Sequence, residues 1–166
     1  VQDPAALVAA DFNADGWPDI AGTNRNGTRY FAYLNPQVAG AWTTPAAADA
    51  RRGNGTDMEA TSWDGDAALD LVIGTDSGQV GIALGAVDGG GNPTGTWGAV
   101  QRFTPTSLQV GVLTDVEAGQ FIRLPTEPGG SNLTDVLAVD NQFNQLVIWP
   151  GDPLFPSYLK EDALVS

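Results

Sequence analysis

Asp11, Asn13, Asp15 and Asp19 stand in the run Asp11-Phe12-Asn13-Ala14-Asp15-Gly16-Trp17-Pro18-Asp19. Side-chain oxygens at alternate positions are what a short loop needs to wrap a hard cation. Ca²⁺ takes about six to eight oxygen ligands at about 2.3–2.6 Å. The spacing of Asp11, Asn13 and Asp15 turns three of them inward, and Gly16 permits the reversal that follows. The backbone carbonyl of Trp17 is expected to face the ion, and Asp19 closes the site from the start of the next strand. Three carboxylates this close repel one another without a cation. A plain polar turn is the alternative, since Asp, Asn and Gly all favour turns. An EF-hand opens in the same way, but its twelfth position must be acidic and here it is Gly22. It also needs flanking helices, whereas the chain from Ile20 onward is strand-like.

Composition narrows the chemistry further. The 166 residues contain neither Cys nor His, which removes thiol nucleophiles, disulfides, imidazole bases and nearly all zinc, copper and haem sites. What remains is oxygen-only coordination, suited to Ca²⁺ first and Mg²⁺ second. Net charge is −13, from 20 acidic and 7 basic residues, so nucleic acid is not an expected partner. Twenty-one Gly and eleven Pro favour short strands and turns over helices. No apolar run is long enough for a membrane span. Val1-Gln2-Asp3-Pro4 lacks the basic and apolar regions of a secretory signal, so a removed signal or an internal piece of a longer protein is expected.

The loop has relatives within the chain. Met58-Glu59-Ala60-Thr61-Ser62-Trp63-Asp64-Gly65-Asp66-Ala67-Ala68-Leu69-Asp70 aligns Asp64 with Asn13, Asp66 with Asp15 and Asp70 with Asp19. A second metal site is therefore expected from Ser62, Asp64, Asp66, the Ala68 carbonyl and Asp70. Ala67 stands in place of Gly16 and should make its turn harder to form. A third unit runs through Asp115, Glu117 and Asp135, with an insertion that disrupts the spacing and is expected to have cost it the ion.

After each last Asp comes an apolar run (Ile20-Ala21, Leu71-Val72-Ile73, Val136-Leu137-Ala138-Val139), then a polar turn and a second apolar run. Gly40-Ala41-Trp42, Gly95-Thr96-Trp97 and Phe155 are expected to open a fourth strand in each unit. Asp19, Asp70 and Asp135 are spaced 51 and 65 residues apart. A four-stranded antiparallel unit at that period reads as a β-propeller blade. The expected fold is all-β: a single propeller segment over 1–166, with blades near 5–50, 56–105 and 110–160. A β-sandwich with fortuitous similarity among its hairpins is the alternative.

The run Asp11-Phe12-Asn13-Ala14-Asp15-Gly16-Trp17-Pro18-Asp19-Ile20 resembles the FG-GAP/VCBS repeat of integrin α-subunit propellers and of many secreted propellers. The likeness is specific in the first unit, fair in the second and weak in the third; the FG and GAP tripeptides themselves are missing. It implies a calcium loop between the first two strands of a blade, with Ca²⁺ in a structural role. Some members of the family are lectins that bind sugars between blades, and others are scaffolds attached to enzymes. Because propellers usually have four to eight blades, three imply further propeller blades or completion as a homo-oligomer.

The function expected from these features is that of a secreted or cell-surface, calcium-stabilised module recognising a glycan or an extracellular protein. Five Trp and three Tyr offer ring faces, with Trp17 and Trp63 flanking the loops and expected to be partly exposed. The alternatives are the scaffold of a larger extracellular enzyme and a structural subunit of an extracellular assembly. The clustered carboxylates already have metal roles, and Lys160 and Arg123 stand alone, so no complete catalytic constellation is visible. Asn26, Asn54 and Asn132 open N-x-Thr sequons in expected turns or loops and are candidate glycosylation sites.

Overall fold

A computed structural model describes residues 3–25, 30–38, 42, 54–104, 109–121, 134–152, 155–159 and 163–165, from Asp152 onward the backbone only. All regular structure among them is β, and every strand pair is antiparallel. The first sheet is formed by β1 (Pro4–Ala10), β2 (Asp19–Asn24) and β3 (Tyr30–Tyr33), in that order. The second contains β4 (Gly55–Thr61), β5 (Asp70–Thr75) and β6 (Val80–Ala83). A hairpin of β7 (Gly85–Val87) and β8 (Pro93–Trp97) follows before β9 (Gln101–Phe103) returns to pair with β6. The third repeats this plan with β10 (Leu113–Gly119), β11 (Asp135–Asp140) and β12 (Gln145–Trp149). Its hairpin is β13 (Gly151–Asp152) and β14 (Phe155–Leu159), and its closing strand is β15 (Ala163–Val165).

The local sequence explains these elements. Apolar and β-branched runs such as Leu71-Val72-Ile73 and Val136 to Val139 become the second strand of a sheet, where side chains alternate between its two faces. The turn between β5 and β6 reverses at Gly78, whose φ is +73°. A Cβ there would lie 2.4 Å from the Val110 carbonyl oxygen, so only glycine fits. Thr75 closes the same turn by donating to the Gln79 carbonyl and accepting the Gln79 N–H.

The inserted hairpins differ from the sequence expectation. Gly95-Thr96-Trp97 does not open a fourth strand; it lies in β8, and β9 takes that place. Phe155 likewise lies in β14, and the fourth strand of the third sheet is β15. The reason lies in Trp97. Its indole N–H donates to the Leu69 carbonyl, and its ring meets Phe12 and Tyr30 of the first unit edge-on at 5.0 and 6.0 Å. The tryptophan thus pins its hairpin to the neighbouring unit. Trp42 is partly exposed and outside any strand, and Gly40 lies outside the described residues.

Two apolar cores hold the sheets together in chain order. Phe12, Ala21, Tyr30 and Ala32 pack with Met58, Leu71, Ile73 and Ala83 between the first and second sheets. Val72, Val80 and Ile82 pack with Leu113, Val116, Val136, Ala138, Val147 and Trp149 between the second and third. Each fully buried aliphatic side chain contributes about 1.5–3 kcal/mol. The second sheet is therefore covered on both faces, which makes three layers where a sandwich has two. Close approach needs small residues: a Cβ on Gly74 would lie 2.7 Å from Val116 Cγ1, and one on Gly55 2.5 Å from Thr23 Cβ.

Candidate metal centre

The loop 11–19 joins β1 to β2, and its own side chains organise it. Asp11 accepts the N–H groups of Asp15 through Oδ1 (3.0 Å) and of Gly16 through Oδ2 (2.8 Å). Asn13 Oδ1 accepts the same Asp15 N–H at 3.2 Å, which puts the Asp11 and Asn13 oxygens side by side. Asp15 Oδ1 takes the Trp17 N–H at 2.9 Å, and its Oδ2 takes amide N–H groups from Asn13 (2.9 Å) and Gln37 (2.7 Å). The Gln37 and Asn13 bonds hold the Asp15 carboxyl below the usual range. The curl has positive φ at Ala14 (+55°) and Gly16 (+88°). Trp17 projects half-exposed from it.

Asp19 is fully buried. Its Oδ2 accepts the Phe12 N–H at 2.9 Å and its Oδ1 the Asn35 N–H at 2.7 Å. Burial raises its pKa, those two N–H groups oppose the rise, and the nearby charges of Asp15 and Asp11 add to it. The three acids thus feel one another's charge although each is turned onto backbone N–H groups.

The second loop keeps part of this plan. Asp64 Oδ1 accepts the Asp66 N–H (3.1 Å), and Asp66 Oδ1 accepts the Ala68 N–H (2.7 Å). Ser62 is exposed at the place of Asp11, and its carbonyl accepts Thr134 Oγ1. Ala67 does not strain the turn as expected. The left-handed residue here is Gly65 (φ +83°), aligned with Ala14, and Ala67 stays outside that region. Trp63 is also unlike the expectation: it is 4% exposed and belongs to the core, because it occupies the buried position of Phe12.

The third loop is corrected more deeply. Gly119 pairs with Asp135 as Thr61 pairs with Asp70 and Ala10 with Asp19. In that register Gln120 stands at the place of Asp11, while Asp115 and Glu117 fall inside β10, level with Asp57 and Glu59 of β4. They are strand residues, and only Asp135 retains a loop-closing position. The acids on β4 have a use that sequence reading missed. Asp57 Oδ2 accepts the Val116 N–H at 2.9 Å, and Glu59 Oε2 accepts the Ala118 N–H, so two carboxylates of one sheet cap the free edge of the next.

One arrangement recurs in all three units. Asp70 accepts Trp63 N–H (2.6 Å) and Gly85 N–H (2.7 Å); Asp135 accepts Phe121 N–H (2.9 Å) and Gly151 N–H (2.9 Å). Asp19 does the same with Phe12 and Asn35. Each buried Asp thus fastens the loop before its strand to the chain leaving the following strand. Burial pushes the Asp70 carboxyl up to about 6, against the pull of the Gly85 and Trp63 N–H groups and with the charge of Asp64.

Tested against a hard divalent cation, the loop 11–19 fits in donor type: Asp11, Asn13, Asp15 and Asp19 bring side-chain oxygens to one turn, and the charges of Asp11 and Asp15 raise the Asp19 pKa. The loop 62–70 offers Asp64, Asp66 and Asp70 and lacks the first carboxylate. Among the described residues no three His, Cys, Asp or Glu side chains are already drawn together on one point. The loop carboxylates are instead turned onto backbone N–H groups. Asn54 donates to both oxygens of Asp76, at 2.8 Å from its backbone and 2.7 Å from its side chain. Asn26 and Asn132 lie outside the described residues, as do Arg123 and Lys160. Comparison with protein-family models and with curated proteins gives no match for this chain.

Proposed function

We propose that the three sheets are β-propeller blades of the FG-GAP/VCBS kind and that the loop 11–19 is a structural Ca²⁺ site. The module would recognise a glycan or an extracellular protein, outside the cell or at its surface. Asp11, Asn13, Asp15 and Asp19 would hold the ion, with the Trp17 carbonyl; Ser62, Asp64, Asp66, Ala68 and Asp70 would form a second, weaker site. Bound there, Ca²⁺ supplies the positive charge that lets the carboxylates share one loop.

The observation that carries the recognition reading is the position of Trp17. It stands half-exposed on the loop, beside the 35–37 segment whose Asn35 and Gln37 amides bond Pro18 and Asp15. A rigid ring face among amide and carboxylate groups is suited to stacking on a sugar and bonding its hydroxyls. The test is a glycan array probed in calcium with the unchanged chain and with Trp17→Ala. Binding that Trp17→Ala and calcium removal both abolish supports the reading; uniform silence removes the lectin form of it and leaves a scaffold.

A further inference from the structure

The three sheets pack head to tail. The face of the first sheet bearing Ala21, Tyr30 and Ala32 meets the second sheet's Leu71 and Ile73. The opposite face of the second sheet, with Val72, Val80 and Ile82, meets the third sheet's Val136 and Ala138. In register, Ala21, Val72 and Leu137 are equivalent, as are Ile20, Leu71 and Val136. One kind of contact has therefore been used twice, and each end of the stack offers half of a third. At the leading end, strand pairing puts Leu137 with Ile148 and Val139 with Leu146 on the outward face, and Leu146 is 39% exposed. At the trailing end, Leu7, Ile20, Phe31 and Tyr33 share the outward face of the first sheet, with Leu7 63% exposed.

The polar edge of the second-to-third contact, absent from the first-to-second contact where Ala6 and Val8 stand in place of the acids, has its acids again on the third sheet. Asp57 and Glu59 on β4 cap the N–H groups of Val116 and Ala118 on β10. Their equivalents on the third sheet are Asp115 and Glu117, both exposed along β10, with Asp115 also in contact with Asp57. The positions on β1 equivalent to Val116 and Ala118 are Leu7 and Ala9. The third sheet thus presents the acceptors, and the first sheet the strand edge, that the second-to-third contact joins within one chain.

We propose that the outward face of the third sheet docks on the outward face of the first sheet of a second copy of this chain. Asp115 and Glu117 then cap the Leu7 and Ala9 N–H groups of that copy. A head-to-tail contact made twice closes a ring, here of two chains and six sheets, within the range that propellers adopt. The inference rests on reading the sheets as blades, and it adds the occupant, the two faces and the residues that join them.

Sedimentation of the intact chain in calcium tests it. The expected species is a dimer of the 17.2 kDa chain. Leu7→Glu and Leu146→Glu, each at an exposed position, should each give a folded monomer, and their equimolar mixture should form a one-to-one dimer, because one of the two contacts is then intact. Glu117→Ala, a milder change, should weaken dimerisation about tenfold through the loss of charge-assisted hydrogen bonding. A dimer persisting in either Glu variant alone, or open-ended polymers, would overturn the proposal. An unchanged chain that stays monomeric while its melting temperature still rises with calcium overturns the docking and leaves the blade and metal reading standing. Monomers with no calcium response remove both.

Discussion

The backbone N–H of Trp63 lies 2.6 Å from Oδ2 of Asp70, seven residues further along the chain. The same carboxylate holds Gly85 through its other oxygen, so one buried side chain sets both the exit of a loop and the departure of a later strand. Asp19 and Asp135 repeat the device. In the third unit it persists although Gln120 stands where the first unit has Asp11. Its action is structural in its own right.

Asp135→Ala should therefore destabilise the chain whether or not calcium is present. It strands the Phe121 and Gly151 N–H groups, and an unsatisfied buried donor costs about 1–3 kcal/mol, so a loss of about 3 kcal/mol is expected in urea unfolding. An equal effect in calcium and in EDTA is part of the prediction; a loss seen only with calcium would contradict it.

Calcium should raise the melting temperature of the unchanged chain, each tenfold excess over the dissociation constant adding about 1.4 kcal/mol. In Asp11→Ala the response should shrink to what the loop 62–70 provides, and in Asp11→Ala combined with Asp64→Ala it should vanish. Calorimetric scans over a calcium series, with EDTA as the baseline, provide the check. Identical scans at every calcium level would end the metal proposal.

Gly74→Ala should cost about 1–3 kcal/mol, the usual range for overpacking, because its Cβ would press on Val116 Cγ1 at 2.7 Å. Combining it with Val116→Ala should restore part of the loss, which a double-mutant cycle in denaturant would measure. Gly89→Ala is the control, since a Cβ there meets nothing within 4 Å.

The acids between the second and third sheets predict a pH dependence. Burial raises the Glu59 carboxyl, and nearby Glu117, Asp57 and Asp115 raise it further while the Ala118 N–H opposes the shift. Asp115 is raised by burial and then by its contact with Asp57 and the charge of Glu117. A carboxyl with a raised folded pKa holds its proton more tightly when folded. Its contribution is therefore complete below the ordinary carboxylate range and lost as pH rises through the folded pKa. Glu59→Gln, which keeps an acceptor for the Ala118 N–H, should accordingly raise the melting temperature at pH 7 and make little difference at pH 3, measured in EDTA to separate it from metal binding. A larger gain at pH 3 would contradict the sign.

Much of this architecture was legible in the sequence. The runs after Asp19, Asp70 and Asp135 became the second strands, and the turn at Gly78 formed where its residues allow a positive φ. The inserted hairpins were not legible: Gly95-Thr96-Trp97 has the character of a strand opening, and only its contact with Phe12 and Tyr30 reveals an anchor on another unit. Asp115 and Glu117 misled for a different reason. Acids two apart fit a metal loop, whose ligands alternate, and equally one face of a strand, whose side chains alternate. Pairing with β11 decides between them, and pairing over a distance is not written in local spacing.

The aspartate that accepts lies seven residues after the residue that donates at Asp19 and Asp70, and fourteen after it at Asp135. The same two-point fastening is made across both lengths. Foreign sequence spliced between Phe121 and Asp135 would then be carried on an anchored base, and the chain offers a natural position for displaying a grafted peptide.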